Sequence, residues 1–125
     1  MPVPVQYNRL MPYLIVKNAE KFIGFMEEVF SATKQIIVPR SEGSIMHGEL
    51  RIADSVIMFA DATHDIAPKP AGIYIYVDNL EETYQKALEQ GAVSTIEPRQ
   101  ESYGYTCGFR DPFGNDWWPV EMPVE

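Results

Sequence analysis

The most constraining feature of this sequence is that one order of predicted strands and helices occurs twice. Each half begins with an apolar strand, continues through an amphipathic helix and ends in three further strands. In the first half, strands are predicted at 10–16, 33–38, 45–52 and 56–60. In the second half, they are predicted at 73–77, 93–97, 105–110 and 115–120. The sequence therefore predicts one domain of two βαβββ modules, at about 8–61 and 71–121, joined by a connector at 61–70.

Individual residues of the two halves correspond at a nearly constant spacing. Three residues around the first helix match the second half at a spacing of 61: Val16, Asn18 and Glu20 with Val77, Asn79 and Glu81. Two strand residues match at a spacing of 60: Gly48 and Met58 with Gly108 and Trp118. A single repetition favours a duplicated module over a solenoid, which needs about three or more copies. A chance likeness between two βα units is the alternative.

Both predicted helices carry one apolar stripe and follow an asparagine. The stripe of the first helix consists of Phe22, Phe25, Met26, Val29 and Phe30. Asn18 and Asn79 suit the N-cap position, and Glu82 follows Asn79 at the spacing of a capping box. Gly91 suits the position just after the second helix. These signals predict two helices, each packed by one face against strands.

Composition and charge exclude several classes of protein. The 125-residue chain has a formal charge of −8 and no run of Lys or Arg, so it lacks the basic surface that binds nucleic acid. Its apolar stretches are shorter than the roughly 20 residues of a membrane span, and residues 1–4 do not resemble a signal peptide. Cys107, the single cysteine, excludes a disulfide within the chain and a cysteine-based zinc cluster. We expect a cytoplasmic protein that binds neither nucleic acid nor membrane.

Two segments carry a resemblance to a known family. Arg110–Asn115, which reads RDPFGN, precedes the last strand, and Met46–Met58 reads MHGELRIADSVIM. With the two βαβββ halves, these segments resemble the vicinal oxygen chelate superfamily of glyoxalase I, bleomycin-resistance proteins and extradiol dioxygenases, and its PhnB-like branch in particular. The resemblance implies an α+β fold of paired βαβββ modules, in which two curved mixed sheets form a cup. It also implies a homodimer, because relatives are commonly dimeric.

The resemblance also places the metal ligands of the superfamily. Its enzymes hold a divalent metal with residues from the first and fourth strand of each module. These four positions fall on Met11, Met58, Gly72 and Trp118. Thioether, glycine and indole are not ligands for such a cation, which prefers imidazole, carboxylate or thiolate donors. We therefore expect no metal and no cofactor, and neither glyoxalase nor ring-cleaving activity.

Strand alternation then predicts which side chains line the cup. The predicted ligand-binding residues are Tyr13, His47, Glu49, Met58, Tyr74, Tyr76, Cys107, Phe109 and Trp118. Aromatic walls with a few polar groups are typical of a site for a planar organic molecule. The alternative is that these rings pack on one another and fill the cup as core.

His47 and Glu49 are the candidate catalytic residues, because they lie two apart on one predicted strand and share a face. They can form an acid–base pair, or half of a metal site completed by a donor such as Asp61 or Glu121. The alternative is a buried histidine that a neighbouring carboxylate satisfies. Cys107 is more typical of a small buried apolar residue than of a nucleophile.

Three functions follow from these observations. The first is a metal-free protein that binds a small aromatic or amphipathic molecule in the cup. The second is an enzyme that uses His47 and Glu49 for proton transfer, with or without an atypical metal site. The third is a structural dimer whose cups are closed. Metal-dependent changes in heat stability would favour the second, and changes with planar ligands would favour the first over the third.

Overall fold

A computed structural model of the chain describes residues 2–41 and 43–123. The first half forms β1 (Tyr13–Val16), α1 (Ala19–Phe30), β2 (Thr33–Ser41), β3 (Ser44–Ile52) and β4 (Ser55–Asp61). Its four strands form one sheet in the order β1-β4-β3-β2. β1 pairs with β4 in parallel, and the other two pairings are antiparallel.

The second half repeats this arrangement. It forms β5 (Gly72–Tyr76), α2 (Leu80–Glu89), β6 (Val93–Glu101), β7 (Gly104–Arg110) and β8 (Asp116–Glu121). The sheet order is β5-β8-β7-β6, again with the first and last strands parallel. The α+β fold class with two mixed four-stranded sheets and two helices is confirmed. Neither helix of the described residues is long and apolar enough to cross a membrane.

The strand bounds differ from the prediction at the hairpins and at the first strand. β2 runs to Ser41, which pairs with Ser44, so most of the interval between the predicted strands at 33–38 and 45–52 is strand. β6 likewise runs to Glu101, which pairs with Gly104. The ends of β2 and β6 are rich in polar residues, and the prediction missed them because it relied on apolar alternation. β1 begins at Tyr13 rather than Leu10, because its ladder with β4 begins where Tyr13 meets Met58.

Both helices begin as predicted. The Asn18 side chain accepts a hydrogen bond from Lys21 N, and the Asn79 side chain accepts one from Glu82 N. Asn18 has φ 63°, in the left-handed region that asparagine tolerates better than most residues. Gly91, just after α2, has φ 97°, as a glycine in this position permits.

The chain divides into two compact units. The first contains the described residues up to Glu27 together with Ser31–Lys69, and the second contains Glu28–Phe30 together with the described residues from Pro70 onward. In the first unit, the buried rings of Phe22 and Phe59 lie 5.2 Å apart between α1 and the sheet. Burying such a ring contributes about 1.5–3 kcal/mol. In the second unit, the ring of Phe30 lies 4.6 Å from that of Trp117.

The turn before β8 determines which way the two tryptophans point. The buried Asp111 carboxylate accepts hydrogen bonds from Asn115 N at 2.9 Å and from Trp117 Nε1 at 2.8 Å. Gly114 has φ 89°, which a residue with a Cβ rarely adopts. This network holds the Trp117 indole in the core. Because neighbours on a strand alternate, Trp118 points to the opposite face.

Candidate functional site

The first sheet brings together three of the residues predicted from the sequence. Tyr13 on β1 and Glu49 on β3 are both direct partners of Met58 on β4. Directly paired residues share a face of a sheet, so all three side chains lie on one face. Leu14 and Phe59 lie on the other face, which packs under α1. We call the face with Tyr13, His47, Glu49 and Met58 the first-sheet face.

Its polar side chains form one hydrogen-bonded chain. The Tyr13 hydroxyl lies 2.9 Å from His47 Nδ1, and His47 Nε2 lies 2.8 Å from Glu49 Oε2. A carboxylate only accepts hydrogen bonds, so His47 Nε2 carries a proton. In the neutral imidazole, Nδ1 therefore accepts a hydrogen bond from the Tyr13 hydroxyl. The predicted pairing of His47 and Glu49 is present, and Tyr13 extends it to the exposed surface.

Glu49 is the buried end of this chain. It is 2% exposed, yet its carboxylate accepts hydrogen bonds from the Tyr7 hydroxyl and from Gln35 Nε2, each at 2.9 Å, as well as from His47. Burial alone raises the pKa of the Glu49 carboxyl. The hydrogen bonds from Gln35, His47 and Tyr7 outweigh burial, and the pKa lies below its ordinary value. Glu49 is therefore a carboxylate at neutral pH.

Arg51 supports this carboxylate through an intermediary. Its guanidinium donates to Gln35 Oε1 from Nε at 3.2 Å and from Nη2 at 2.9 Å. It also donates to the Gln6 carbonyl at 2.6 Å. Gln35 is thus held with its amide N–H toward Glu49. The sequence does not point to Gln6, Tyr7 or Gln35, because the first two precede every periodic segment and Gln35 is an ordinary polar residue of β2.

The second sheet carries exposed rings on one face. Tyr74 pairs directly with Trp118, and Tyr76 shares the face by alternation along β5. Tyr74 is 53% exposed, Tyr76 66% and Trp118 39%. Tyr13 on the first sheet is 46% exposed. The rings of Tyr74 and Tyr76 meet edge to face at 5.6 Å. We call the face with Tyr74, Tyr76 and Trp118 the second-sheet face.

Two predicted lining residues point elsewhere. Phe109 pairs with Trp117 and so lies on the buried face, opposite Trp118. Cys107, two residues earlier on β7, lies on the same buried face as Phe109 and is fully buried. The prediction that they share a face with Trp118 is wrong. Phe109 pairs with Trp117 as Leu50 pairs with Ile57, so Phe109 corresponds to Leu50 and not to Glu49. The predicted alignment of the two halves is therefore wrong by one residue on β7.

The Cys107 thiol is also chemically inert in the fold. Burial, together with the charge of Glu81, raises its pKa to about 12. Only the thiolate is an effective nucleophile or metal ligand, and a thiol with this pKa is protonated at neutral pH. Cys107 is therefore a packing residue, as the sequence analysis favoured.

Met11, Met58, Gly72 and Trp118 are the positions at which the resemblance predicts metal ligands, and that placement stays a prediction. Gly72 has no donor, and a Cβ built there would lie 2.7 Å from the Trp118 ring, so the indole occupies that space. Met11 and Met58 offer only thioethers. Within 2–41 and 43–123, no group of three or more His, Cys, Asp or Glu residues is placed to hold an ion.

The two further donors considered from the sequence have structural partners. Asp61 accepts hydrogen bonds from Ala19 N and Ile45 N, both at 2.7 Å. Glu121 accepts one from Leu80 N at 2.8 Å. Each carboxylate thus binds the first N–H of a helix, where the helix dipole favours negative charge. These contacts orient both carboxylates toward helix termini.

A family model for the Glyoxalase/Bleomycin resistance protein/Dioxygenase superfamily matches residues 6–118. The chain belongs to this family, and the superfamily resemblance inferred from its two modules is confirmed. An uncharacterised protein of Mycobacterium bovis is 28% identical over 120 residues, covering 86% of this chain and 79% of the relative.

Solved structures of the same fold include two with informative descriptions. A PhnB protein from Bacillus cereus superposes with a TM-score of 0.73 at 17% identity, covering 92% of this chain and 100% of that chain. TnmS3, described as an antibiotic binding protein from Streptomyces sp. CB03234, superposes with a TM-score of 0.71 at 19% identity, covering 98% of both chains. At these identities the likeness establishes the fold alone.

Proposed function

We propose that this chain binds planar aromatic small molecules, without a metal ion, on a sheet face that presents exposed rings. The observation that carries the proposal is the exposure of Tyr13, Tyr74, Tyr76 and Trp118, which are 39–66% exposed although each lies on a strand. Exposed apolar patches on folded proteins commonly mark binding sites. TnmS3, of the same fold, is an antibiotic binding protein, which supports a binding role in this family.

The chemistry of these side chains suits a planar ligand. Tyrosine and tryptophan present flat apolar faces with a polar tip, and an aromatic pair contributes about 0.5–1.5 kcal/mol beyond its buried area. A few fixed polar groups then set ligand orientation. On the first-sheet face, the exposed Tyr13 ring has such groups on its own sheet, because its hydroxyl and His47 are held by the buried Glu49 carboxylate. We also propose that the chain belongs to the PhnB-like branch of its family.

Direct binding measurements test the proposal. The probes are 7-methoxycoumarin, a planar molecule without an acidic proton, and bleomycin, titrated by calorimetry into chelator-treated protein. We expect saturable binding that Tyr74→Ala or Trp118→Ala weakens about 3- to 10-fold, the equivalent of one aromatic pair. Tyr105→Ala is the matched control, because Tyr105 alternates with Thr106 and lies on the opposite face of the second sheet. Failure of both probes to bind would contradict the proposal.

A second candidate function is proton-transfer catalysis by His47 and Glu49. The observation that favours it is the hydrogen-bonded chain from Tyr13 through His47 to the buried Glu49. Elemental analysis after dialysis separates an atypical metal enzyme from a metal-free protein. About one zinc, nickel, iron or manganese ion per chain, lost in His47→Ala, would favour the enzyme. Retention of metal by that variant would instead require donors that the proposal does not include.

A further inference from the structure

The Tyr13 hydroxyl is the exposed end of the chain that leads to Glu49. Its oxygen lies 2.9 Å from His47 Nδ1 and donates to it when the imidazole is neutral. A phenolic oxygen that donates one hydrogen bond can still accept another. Tyr13 is 46% exposed, so we expect the acidic O–H of a bound molecule to reach that oxygen.

We infer that the first-sheet face selects planar weak acids, such as phenols and enols, and binds them as anions by taking up their proton. The inference rests on the proposed function and specifies its ligand class. The ligand O–H proton passes to Tyr13 Oη while the Tyr13 hydroxyl proton passes to His47 Nδ1. Two O–H bonds break, and one O–H and one N–H bond form. The products are a ligand anion, a neutral Tyr13 and a protonated His47.

The charged groups around His47 stabilise that product. The imidazolium lies 2.8 Å from the Glu49 carboxylate on one side and is bonded through Tyr13 to the ligand anion on the other. Glu49 keeps its charge because Gln35, His47 and Tyr7 all donate to it. The Arg51 guanidinium donates to Gln35, which in turn donates to Glu49. A hydroxyl, an imidazole and a buried carboxylate stand in the order of the serine-hydrolase triad, here with a phenol in place of serine and with the two ring nitrogens exchanged.

The test compares 7-hydroxycoumarin, whose neutral and anionic forms absorb at different wavelengths, with its methyl ether, 7-methoxycoumarin. Absorption spectra are recorded at a pH below the pKa of free 7-hydroxycoumarin. We expect the bound molecule to show the anion spectrum with the natural protein and the neutral spectrum with His47→Gln or Tyr13→Phe. His64→Gln is the matched control and should behave as the natural protein, because His64 is fully exposed and pairs with its exposed neighbour Asp65.

Nitrogen-15 spectra of the two histidine rings give an independent readout. On binding 7-hydroxycoumarin, His47 should become protonated on both ring nitrogens while His64, in the same spectrum, is unchanged. Binding of both coumarins with 7-hydroxycoumarin remaining neutral would overturn this inference and leave the proposed function intact. An anion spectrum that persists in folded His47→Gln would also overturn it. Binding of neither coumarin would overturn this inference and count against the proposed function.

Discussion

Asp61 and Glu121 perform equivalent tasks in the two modules. Asp61 accepts from Ala19 N and Glu121 accepts from Leu80 N, so each carboxylate at the end of a fourth strand binds the start of a helix. Asp61 accepts from Ile45 N as well, and its buried position keeps water from replacing either bond. A single side chain thus joins α1, β3 and β4.

Replacing Asp61 with alanine should therefore be costly. The change leaves two buried N–H groups without an acceptor, and we expect it to lower the free energy of unfolding by about 3 kcal/mol. Asp54→Ala is the matched control, because Asp54 is exposed in the β3–β4 turn and should cost little. Urea unfolding of both variants measures the difference. Equal stabilities would show that the Asp61 contacts are not important for folding.

Glu49 should make stability depend on acid pH. Its folded pKa lies below the ordinary value of 4.5, so the carboxylate stabilises the fold above that value, and this contribution is lost as the pH falls through the lowered pKa. In Glu49→Gln, the amide side chain does not titrate. The stability difference between the natural protein and Glu49→Gln should therefore shrink on acidification below pH 4.5. A difference that grows in acid, in urea titrations across this range, would contradict the assignment.

At the scale of single residues, the sequence predicted His47 and Glu49 as a pair because alternation alone places them on one face. It did not predict Tyr7 or Gln35. Whether a polar residue beside no periodic segment reaches a buried carboxylate depends on tertiary packing, which leaves no local pattern. The charge state of Glu49 depends on those same contacts.

At the scale of the elements, β7 shows what patterns miss. The alignment of the halves placed Phe109 beside Trp118, but the ladder pairs Phe109 with Trp117. A shift of one residue moves every side chain of a strand to the other face. This small error therefore assigned two core residues, Cys107 and Phe109, to the lining of the binding site. β3 and β4 have no such error, because Glu49 pairs with Met58 and the two therefore share one face, as alternation predicted.

The two helix caps should differ in how they tolerate alanine. Asn79 has extended backbone angles, so Asn79→Ala loses one capping bond and should cost about 1 kcal/mol. Asn18 has φ 63°, so Asn18→Ala should cost about 1–2 kcal/mol more through left-handed strain. Asn18→Gly should recover most of that strain. Denaturant unfolding of the three variants is the measurement, and equal losses for both alanine variants would contradict the backbone assignment.

At the scale of the whole molecule, the duplication is visible in the ladders. Tyr13 pairs with Met58 and Tyr74 with Trp118, the same register in the two sheets. The repetition of helix and strand signals made this much predictable, because those signals are local and occur twice. The shared face of Tyr74, Tyr76 and Trp118 followed from strand alternation, whereas Phe109 on β7 lies in the core.

Self-association is the remaining prediction at this scale. Each sheet has two outer strands, β1 and β2 in one and β5 and β6 in the other, and strand edges without a full partner strand favour association. We expect a homodimer, with light scattering giving twice the chain mass of 14.2 kDa. A mass of 14.2 kDa at high protein concentration would contradict it.

Metal-independent binding is tested most directly by NMR, with chelator-treated protein titrated with 7-methoxycoumarin while the indole and tyrosine ring signals are followed. The chain has two tryptophans, of which Trp117 is buried with its N–H donated to Asp111 while Trp118 is exposed. Metal-independent binding on the exposed rings predicts that the Trp118 signal and the ring signals of Tyr74 shift while the Trp117 signal stays fixed. Shifts that occur only after a divalent metal is added, or that affect Trp117 and not Trp118, would contradict it.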